Sequence, residues 1–383
     1  MLLRLPGEVE MNLRGAAERL GISAGRLERM LGRIVRSSDW PEPRLMRFDK
    51  AVSGIEAGTV VFEDGEIVYG YPKIRRAMML DPAIRRHFSG GVLVEEKMNG
   101  HNVRVARVGG KTVALTRGGF VCPYSTEVAE GQIPSGVFDD HPAIVLCGEM
   151  VGPKNPYVPK DVYSAEAMDF VLFDISRKGR RDMEGSKAAH AIAEEYGVKA
   201  VRLFGEFAAE KAAGEIREIV EDLGSRGREG VVIKDPENLN TPMKYTSSES
   251  NCRDLEFAFR YYNDYGQDFF FSRVVREGFQ AAEWSDAAAE FDARCLRLGR
   301  SMLLPMRETV EAKISGEEIV QEVEILVRDL QTAADFEEHY RRMGVRAVFE
   351  PPRAAPAGHL VKIKRLVMST NDKTRSVIEG QLW

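Results

Sequence analysis

The stretch VLVEEKMNGHNVRVARV, residues 92–108, decides how the rest of the chain is read. Its flanks, Val92-Leu93-Val94 and then Val103, Val105 and Val108, have the apolar, β-branched composition of partly buried strands. Asn99-Gly100 between them is the strongest short signal for a tight hairpin. The centre does not fit a plain strand, because Glu95, Glu96 and Lys97 interrupt an apolar run. Lys97 is therefore expected at a strand end, held by stiff backbone rather than waving on a helix, and such a lysine is a candidate for chemistry. The K-x-x-G pattern alone is weak. It recurs from Lys211 to Gly214 and from Lys313 to Gly316, in Ala-, Glu- and Lys-rich stretches that read as helices, where the lysine is most simply solvated. Only the first occurrence has strand, turn and strand around it.

At 383 residues the chain exceeds one simple core and predicts several domains. Its 44% hydrophobic and 30% charged residues are those of an ordinary soluble globular protein. The net charge of −5 argues against indiscriminate polyanion binding, and the basic patches KIRR at 73–76 and RKGRR at 177–181 read first as solvated faces. Cys122, Cys147, Cys252 and Cys295 have no C-x-x-C spacing, so neither a zinc site nor a disulfide framework is indicated, and a reducing cytoplasm is expected. No uncharged apolar stretch reaches the roughly 18 residues of a membrane span, and the N-terminus does not read as a signal peptide.

Along the chain, MNLRGAAERLGISAGRLERMLGRIV predicts two short helices, the second opened by Ser23, and Asp64-Gly65 marks a hairpin between β-rich runs. Residues 1–66 are read as an N-terminal helical and β domain. From 67 to 247, strands such as TVALTRGG, AIVLCGEMVG, MDFVLFDIS and GVVIKD mix with helices at KAAHAIAEEYG and FAAEKAAGEIREIVEDLG. That order lacks βαβ alternation, so the fold class is α+β, built largely on antiparallel sheets. Residues 248–315 are read as helical, with Phe257, Phe259, Tyr261, Tyr262, Phe269, Phe270 and Phe271 as core or subunit interface. Helical periodicity runs on to Gln331 and from Ala333 to Met343. Residues 316–383 form a last α/β unit, with strands at RAVFEPP and HLVKIKRLVM and a final polar helix.

Within the central domain, charged residues keep standing at the ends of β-rich segments. Arg117 follows VALT, Glu149 lies in LCGEMVG, Glu229 opens EGVVIKD, which ends in Lys234, and Lys244 stands in PMKYT. Converging on one cavity, they describe a polyphosphate site: cations hold phosphates and draw charge from a leaving group, and carboxylates hold a metal or ribose hydroxyls.

In the order K-x-x-G, R-G-G, G-E, F-D, E-G-x-V-x-K and K-Y, residues 95–244 resemble the covalent nucleotidyltransferase superfamily of ATP-dependent ligases and messenger RNA capping enzymes. The wording VEEKMNGHNVRV, LTRGGFVCPY and FDKAVSGIEAGTVVF, with a helix-rich C-terminal region, resembles the archaeal type of ATP-dependent RNA ligase over nearly the whole chain. The resemblance implies an ATP-grasp-like nucleotidyltransferase domain that uses ATP and Mg2+ (or Mn2+), acts on RNA with 5′-phosphate and 3′-hydroxyl ends, and forms a homodimer through the C-terminal region.

Residue by residue, it makes Lys97 the nucleophile that forms lysyl-AMP. Glu95 would accept the adenine amino hydrogen, with Glu96 facing away. Met98 and Asn102 would lie beside the nucleotide, Arg104 and Arg117 would contact ribose or phosphate, and Phe173 would stack on the purine. Glu149 would bind ribose and, with Glu229, the metal; Lys234 and Lys244 would touch the α-phosphate. An amine protonated near pH 10.4 is no nucleophile at neutral pH, so desolvation, a cation or a metal is expected to lower the Lys97 pKa. One departure is Asn99, where the superfamily has aspartate; it keeps the turn preference but not the charge. The competing readings are a DNA ligase or capping enzyme, for which an OB-fold rather than helices would follow the K-Y lysine; a non-catalytic RNA-binding relative; and a lysine Schiff-base enzyme, which leaves the later cations and carboxylates unexplained.

Overall fold

The computed structural model describes residues 2–5, 9–38 and 43–382. Two sheets form its centre. One has five strands in the order Leu203–Ala208, Gly91–Lys97, Gly230–Lys234, Met243–Thr246 and Arg75–Arg76. All its pairs are antiparallel except the last, in which Arg76 lies beside Lys244 in a parallel pair. The other is antiparallel, with four strands in the order Lys111–Thr116, His101–Val108, Ile144–Val151 and Asp169–Arg177.

The hairpin expected at Asn99-Gly100 is not formed, because the strands on either side of it belong to different sheets. Residues 98–100 carry the chain from one sheet to the other. Gly100 is needed there for close approach, since a Cβ would overlap the Met150 carbonyl oxygen of the neighbouring strand. The pair that does make a hairpin is Asp64-Gly65: Val60 and Val61 face Val68 and Ile67, and Gly65 takes the left-handed φ of 85° that such turns require.

The N-terminal helices form at Leu13–Leu20 and Ala24–Met30, where Asn12 caps the first and Ser23 precedes the second without a side-chain cap bond. Their apolar faces share a core with strands Val35–Ser38, Leu45–Phe48, Val60–Phe62 and Ile67–Val68. The two central helices span Gly185–Tyr196 and Ala212–Ser225, so Phe207 and Ala208, expected in the second, lie instead in strand Leu203–Ala208.

After Lys244 come helices Ser248–Arg260, Gln267–Trp284 and Ala288–Ile314. Their aromatic residues pack on one another, as in Phe257–Tyr261 with centroids 5.1 Å apart and Phe259–Phe270 at 4.5 Å. The helical tract is interrupted by a strand that the periodicity did not suggest, Val320–Val327, which pairs with Gly358–Leu366. Helix Leu330–Arg342 packs against this C-terminal sheet and the central domain through Phe336 and Tyr340. Lys313, expected in solvent, is buried and donates to Glu318 Oε1 at 2.7 Å and Asn371 Oδ1 at 3.2 Å. Among the described residues no helix is long and apolar enough to cross a membrane.

Candidate active site

A cavity of about 590 Å3 opens between the two central sheets, within the range of small-molecule sites. Glu95, Lys97, Met98, Asn102, Arg117, Glu149, Phe173, Lys234 and Lys244 line it, all of them anticipated from the sequence. Glu229 adjoins it through Lys97. Segments from Glu95 to Lys244 meet there because the chain crosses between the sheets immediately after Lys97.

Lys97 Nζ donates to Glu229 Oε2 at 2.7 Å and to the Met98 carbonyl at 3.2 Å. Burial alone would pull the Lys97 pKa down, but the Glu229 and Glu149 carboxylates outweigh it and hold the ammonium above its ordinary value. The expected depression is therefore absent in the free protein. Burial pushes the Glu149 carboxyl up to about 7, Glu229 adding to the effect while Lys97 and the Gly100 N–H, which donates to Glu149 Oε1 at 3.2 Å, oppose it. Lys244 moves the other way. Burial and the nearby Lys97, Arg76 and Arg273 lower it to about 8. Opposite Lys97 on the next strand stands Gly230, at φ 142°, where a Cβ would overlap the Tyr245 carbonyl oxygen.

The other end is organised around Glu95, only 1% exposed. Its carboxylate accepts from Ser186 Oγ and pairs with Lys234 Nζ at 2.8 Å, with His190 Nε2 at 3.5 Å. Lys234 also donates to the Phe173 carbonyl at 2.6 Å. Phe173 is the extra residue of a bulge: Cys147 pairs with Asp174 and Gly148 with Leu172, so the ladder skips it. Bulges re-aim side chains, and this one turns Phe173 into the cavity, where its ring meets Tyr71 edge-on at 5.1 Å. Tyr71 is fixed in turn by donating to Asp174 Oδ2 at 3.1 Å. Tyr71, Ser186 and His190 were not anticipated; nothing in their spacing marks them. Asp174 is the aspartate of the F-D motif.

Glu96, expected to face elsewhere, also borders the cavity, and its carboxylate accepts from Arg228 Nη1 at 2.9 Å. Asn99 is held by its backbone, whose N–H donates to Tyr163 Oη at 2.5 Å. Arg104 departs from the expectation. It is fully buried away from the cavity and donates to the carbonyls of Gly58 at 2.9 Å, Tyr69 at 2.8 Å and Thr116 at 2.7 Å, tying the N-terminal sheet to the central one. Burial lowers its guanidinium to about 10. A side chain fully buried outside the cavity, with both terminal nitrogens held by protein carbonyls, is not placed to reach a ribose or phosphate.

For a metal, the donors at hand are Glu149 and Glu229. Among the described residues no group of three or more His, Cys, Asp or Glu is arranged to hold an ion. Two carboxylates suit Mg2+, which keeps several waters and is completed by substrate phosphates.

These sheets, with a strand-end lysine flanked by carboxylates and cations, define a nucleotidyltransferase of the ligase type. The family model described as RNA ligase matches residues 90–246, and that described as Ligase Pab1020 C-terminal region matches 257–381. Two solved structures, described as archaeal ATP-dependent RNA ligase forms 1 and 2, are 39% and 38% identical. Each superposes with a TM-score of 0.92 over 97% of this chain and 100% of its own. A curated but uncharacterized protein of Methanocaldococcus jannaschii is 36% identical over 97% of both chains. A putative ATP-dependent DNA ligase from Aquifex aeolicus, 24% identical with a TM-score of 0.87 over 94% of this chain and 98% of its own, shares the fold. The chain belongs to the archaeal ATP-dependent RNA ligase family.

Proposed function

We propose that this ligase joins RNA ends in three transfers that begin at Lys97. The Nζ lone pair attacks the α-phosphorus of ATP, the N–P bond forms, and the bond to the bridging oxygen breaks, so that pyrophosphate leaves with the electron pair. An oxygen of an RNA 5′-phosphate then takes the AMP from the lysine. Finally a 3′-hydroxyl attacks that activated phosphate, forming the phosphodiester and releasing AMP.

The observation that carries this reading is the arrangement at Lys97: a half-buried amine, 2.7 Å from Glu229, in a cavity that also holds Glu149 and Lys244. In the free protein those carboxylates keep the amine charged and harmless. Glu149 and Glu229 would hold Mg2+ or Mn2+, which would offset phosphate charge and relieve the negative charge that stabilises the ammonium. Lys244 supplies positive charge to the reacting phosphate, and Glu95, Phe173 and Tyr71 form the end suited to a purine. A homodimer through the helical region belongs to the same reading, supported by the exposed Phe271, Phe291, Leu296, Leu303 and Leu304.

The test is labelling with α-labelled ATP and a divalent metal, followed by sealing assays on RNA and on nicked DNA. The wild type should acquire label and seal RNA; Lys97→Ala should acquire none while unfolding at an unchanged temperature. Equal labelling of the two proteins would refute the role of Lys97, and sealing of nicked DNA alone would refute the RNA assignment.

A further inference from the structure

The basic run KIRR, read from sequence as a solvated face, does not behave as one. Arg76 is half-buried, and among the described residues it forms no ion pair. Its hydrogen bonds run from one terminal nitrogen to neutral oxygens, Thr246 Oγ1 at 2.9 Å and Asn251 Oδ1 at 3.3 Å. Lys244, directly beside it in the parallel pair, is likewise half-buried with no ion pair among the described residues. Two adjacent cations drawn from water are costly when no carboxylate contacts them; Glu229 and, for Arg76, Asp254 act only at a distance and do not offset the burial, and an anion between the two cations would lower that cost. Burial and the nearby Arg273 already hold the Arg76 guanidinium below its ordinary range. Arg273 is differently placed, since Asp254 neutralises it at 2.8 Å and Phe269 packs beneath its guanidinium.

Register says which anion. Glu95 pairs with Val232, Val232 with Lys244, and Lys244 with Arg76, so these residues form one row across a single face of the sheet. Glu95, Val232 and Lys244 line the cavity, and Arg76 continues the row one strand past them. At about 4.8 Å per strand the row spans roughly 14 Å, starting at the end suited to a purine and passing the reacting lysine's neighbourhood at Lys244. A group leaving the α-phosphorus departs in line, on the side away from the attacking amine. Beyond Lys244 along that row, the next cation is Arg76.

We propose that Arg76, with Lys244, forms the subsite that receives the β- and γ-phosphates of ATP and holds the pyrophosphate as it leaves. In the step that forms the Lys97 N–P bond, the bridging oxygen keeps the electron pair of the broken bond, and Arg76 balances that charge by charge-assisted hydrogen bonds. Asn251, from helix Ser248–Arg260, orients the guanidinium, so the helical region takes part in the nucleotide site rather than only packing beside it.

The assignment rests on the adenylation reading, but binding tests it separately. Full-length protein, wild type, Arg76→Gln and Arg76→Lys, is titrated with the non-transferable α,β-methylene analogue of ATP, with AMP, and with oligoribonucleotides bearing a 5′-phosphate or a 5′-hydroxyl. Arg76→Gln should weaken the triphosphate analogue by about tenfold, one charge-assisted bond, while AMP affinity stays within about twofold. Arg76→Lys should recover part of the loss, and the preference for 5′-phosphorylated RNA should be unchanged. An equal loss for analogue and AMP, or no loss for either, overturns the proposal. So does a lost 5′-phosphate preference with intact triphosphate binding, which would give the subsite to the RNA end. If the wild type forms no adduct with ATP, the adenylation reading fails, yet the difference between analogue and AMP still decides whether the subsite exists.

Discussion

The proposed self-adenylylation would carry a pH dependence set by three titrating groups, and replacing Lys244 by arginine separates them. At limiting ATP, kcat/KM reports groups of the free protein. Lys97 must be neutral to attack, and its pKa is held above the ordinary 10.5, so each unit of rising pH increases the reactive fraction tenfold. Glu149 must be ionised to hold a cation, and with a pKa of about 7 it adds a second tenfold per unit below that value. Lys244 must be charged to meet the phosphate, and with a pKa of about 8 it loses about tenfold per unit above it. The logarithm of kcat/KM should therefore rise with a slope near 2 below about pH 7 and near 1 up to about pH 8, then flatten as the gain at Lys97 and the loss at Lys244 cancel. Lys244→Arg keeps its charge throughout, so its profile should keep rising, and its ratio to wild type should grow about fivefold between pH 8 and 9. Initial rates of covalent labelling at several pH values measure this. Parallel profiles for the two proteins from pH 7 to 9.5 would show that Lys244 does not set the upper limb.

Arg104→Met should leave the carbonyls of Gly58, Tyr69 and Thr116 without their donor and cost about 3 kcal/mol or more of stability, seen in chemical unfolding. At temperatures where the variant is folded, its affinity for ATP should match the wild type; a selective loss of ATP binding would restore Arg104 to the nucleotide site. Gly100→Ala, whose new methyl meets the Met150 carbonyl, should destabilise by about 3 kcal/mol and lower the melting temperature. An unchanged melting temperature would show that the crossing between the sheets has room the backbone does not suggest.

What could be read in advance depended on how local its cause is. Strands such as Ile144–Val151 and Asp169–Arg177 announce themselves because both faces are buried and their composition is continuous. Val320–Val327 was hidden because its alternation of valine with glutamate sits inside charged helical stretches, though its burial alternates as a half-buried strand should. The Asn99-Gly100 hairpin failed for a similar reason. The local signal was sound, but Gly100 is demanded by Met150, a contact that short-range reasoning does not supply. Arg104 stands on a strand and Arg117 just past the end of its neighbour in the same sheet, and only the folded proximity of residues 58 and 69 makes the first a strut, while the second lines the cavity.

The site holds two lysine–glutamate pairs, and their difference orders the chemistry. Lys234 and Glu95 are 5% and 1% exposed in their side chains, and both make further bonds, to the Phe173 carbonyl and to Ser186. Lys97 and Glu229 are 20% and 11% exposed and meet at 2.7 Å, and among the described residues the pair's side chains add only the Met98 carbonyl. Separating the first pair strands buried charges and releases the bulge that aims Phe173, a cost of several kcal/mol. Opening the second is cheaper, because solvent and an incoming cation reach both partners. Lys234 is thus suited to stay with Glu95 and fix the end where a base would rest, although its motif position suggested contact with the α-phosphate. Lys244, which has no partner to surrender, is the lysine able to follow a phosphate through the reaction. On the proposed mechanism, a rigid pair at the base end of the cavity and an exchangeable pair at Lys97 would let the nucleotide stay anchored while the bond at its phosphorus is made and broken.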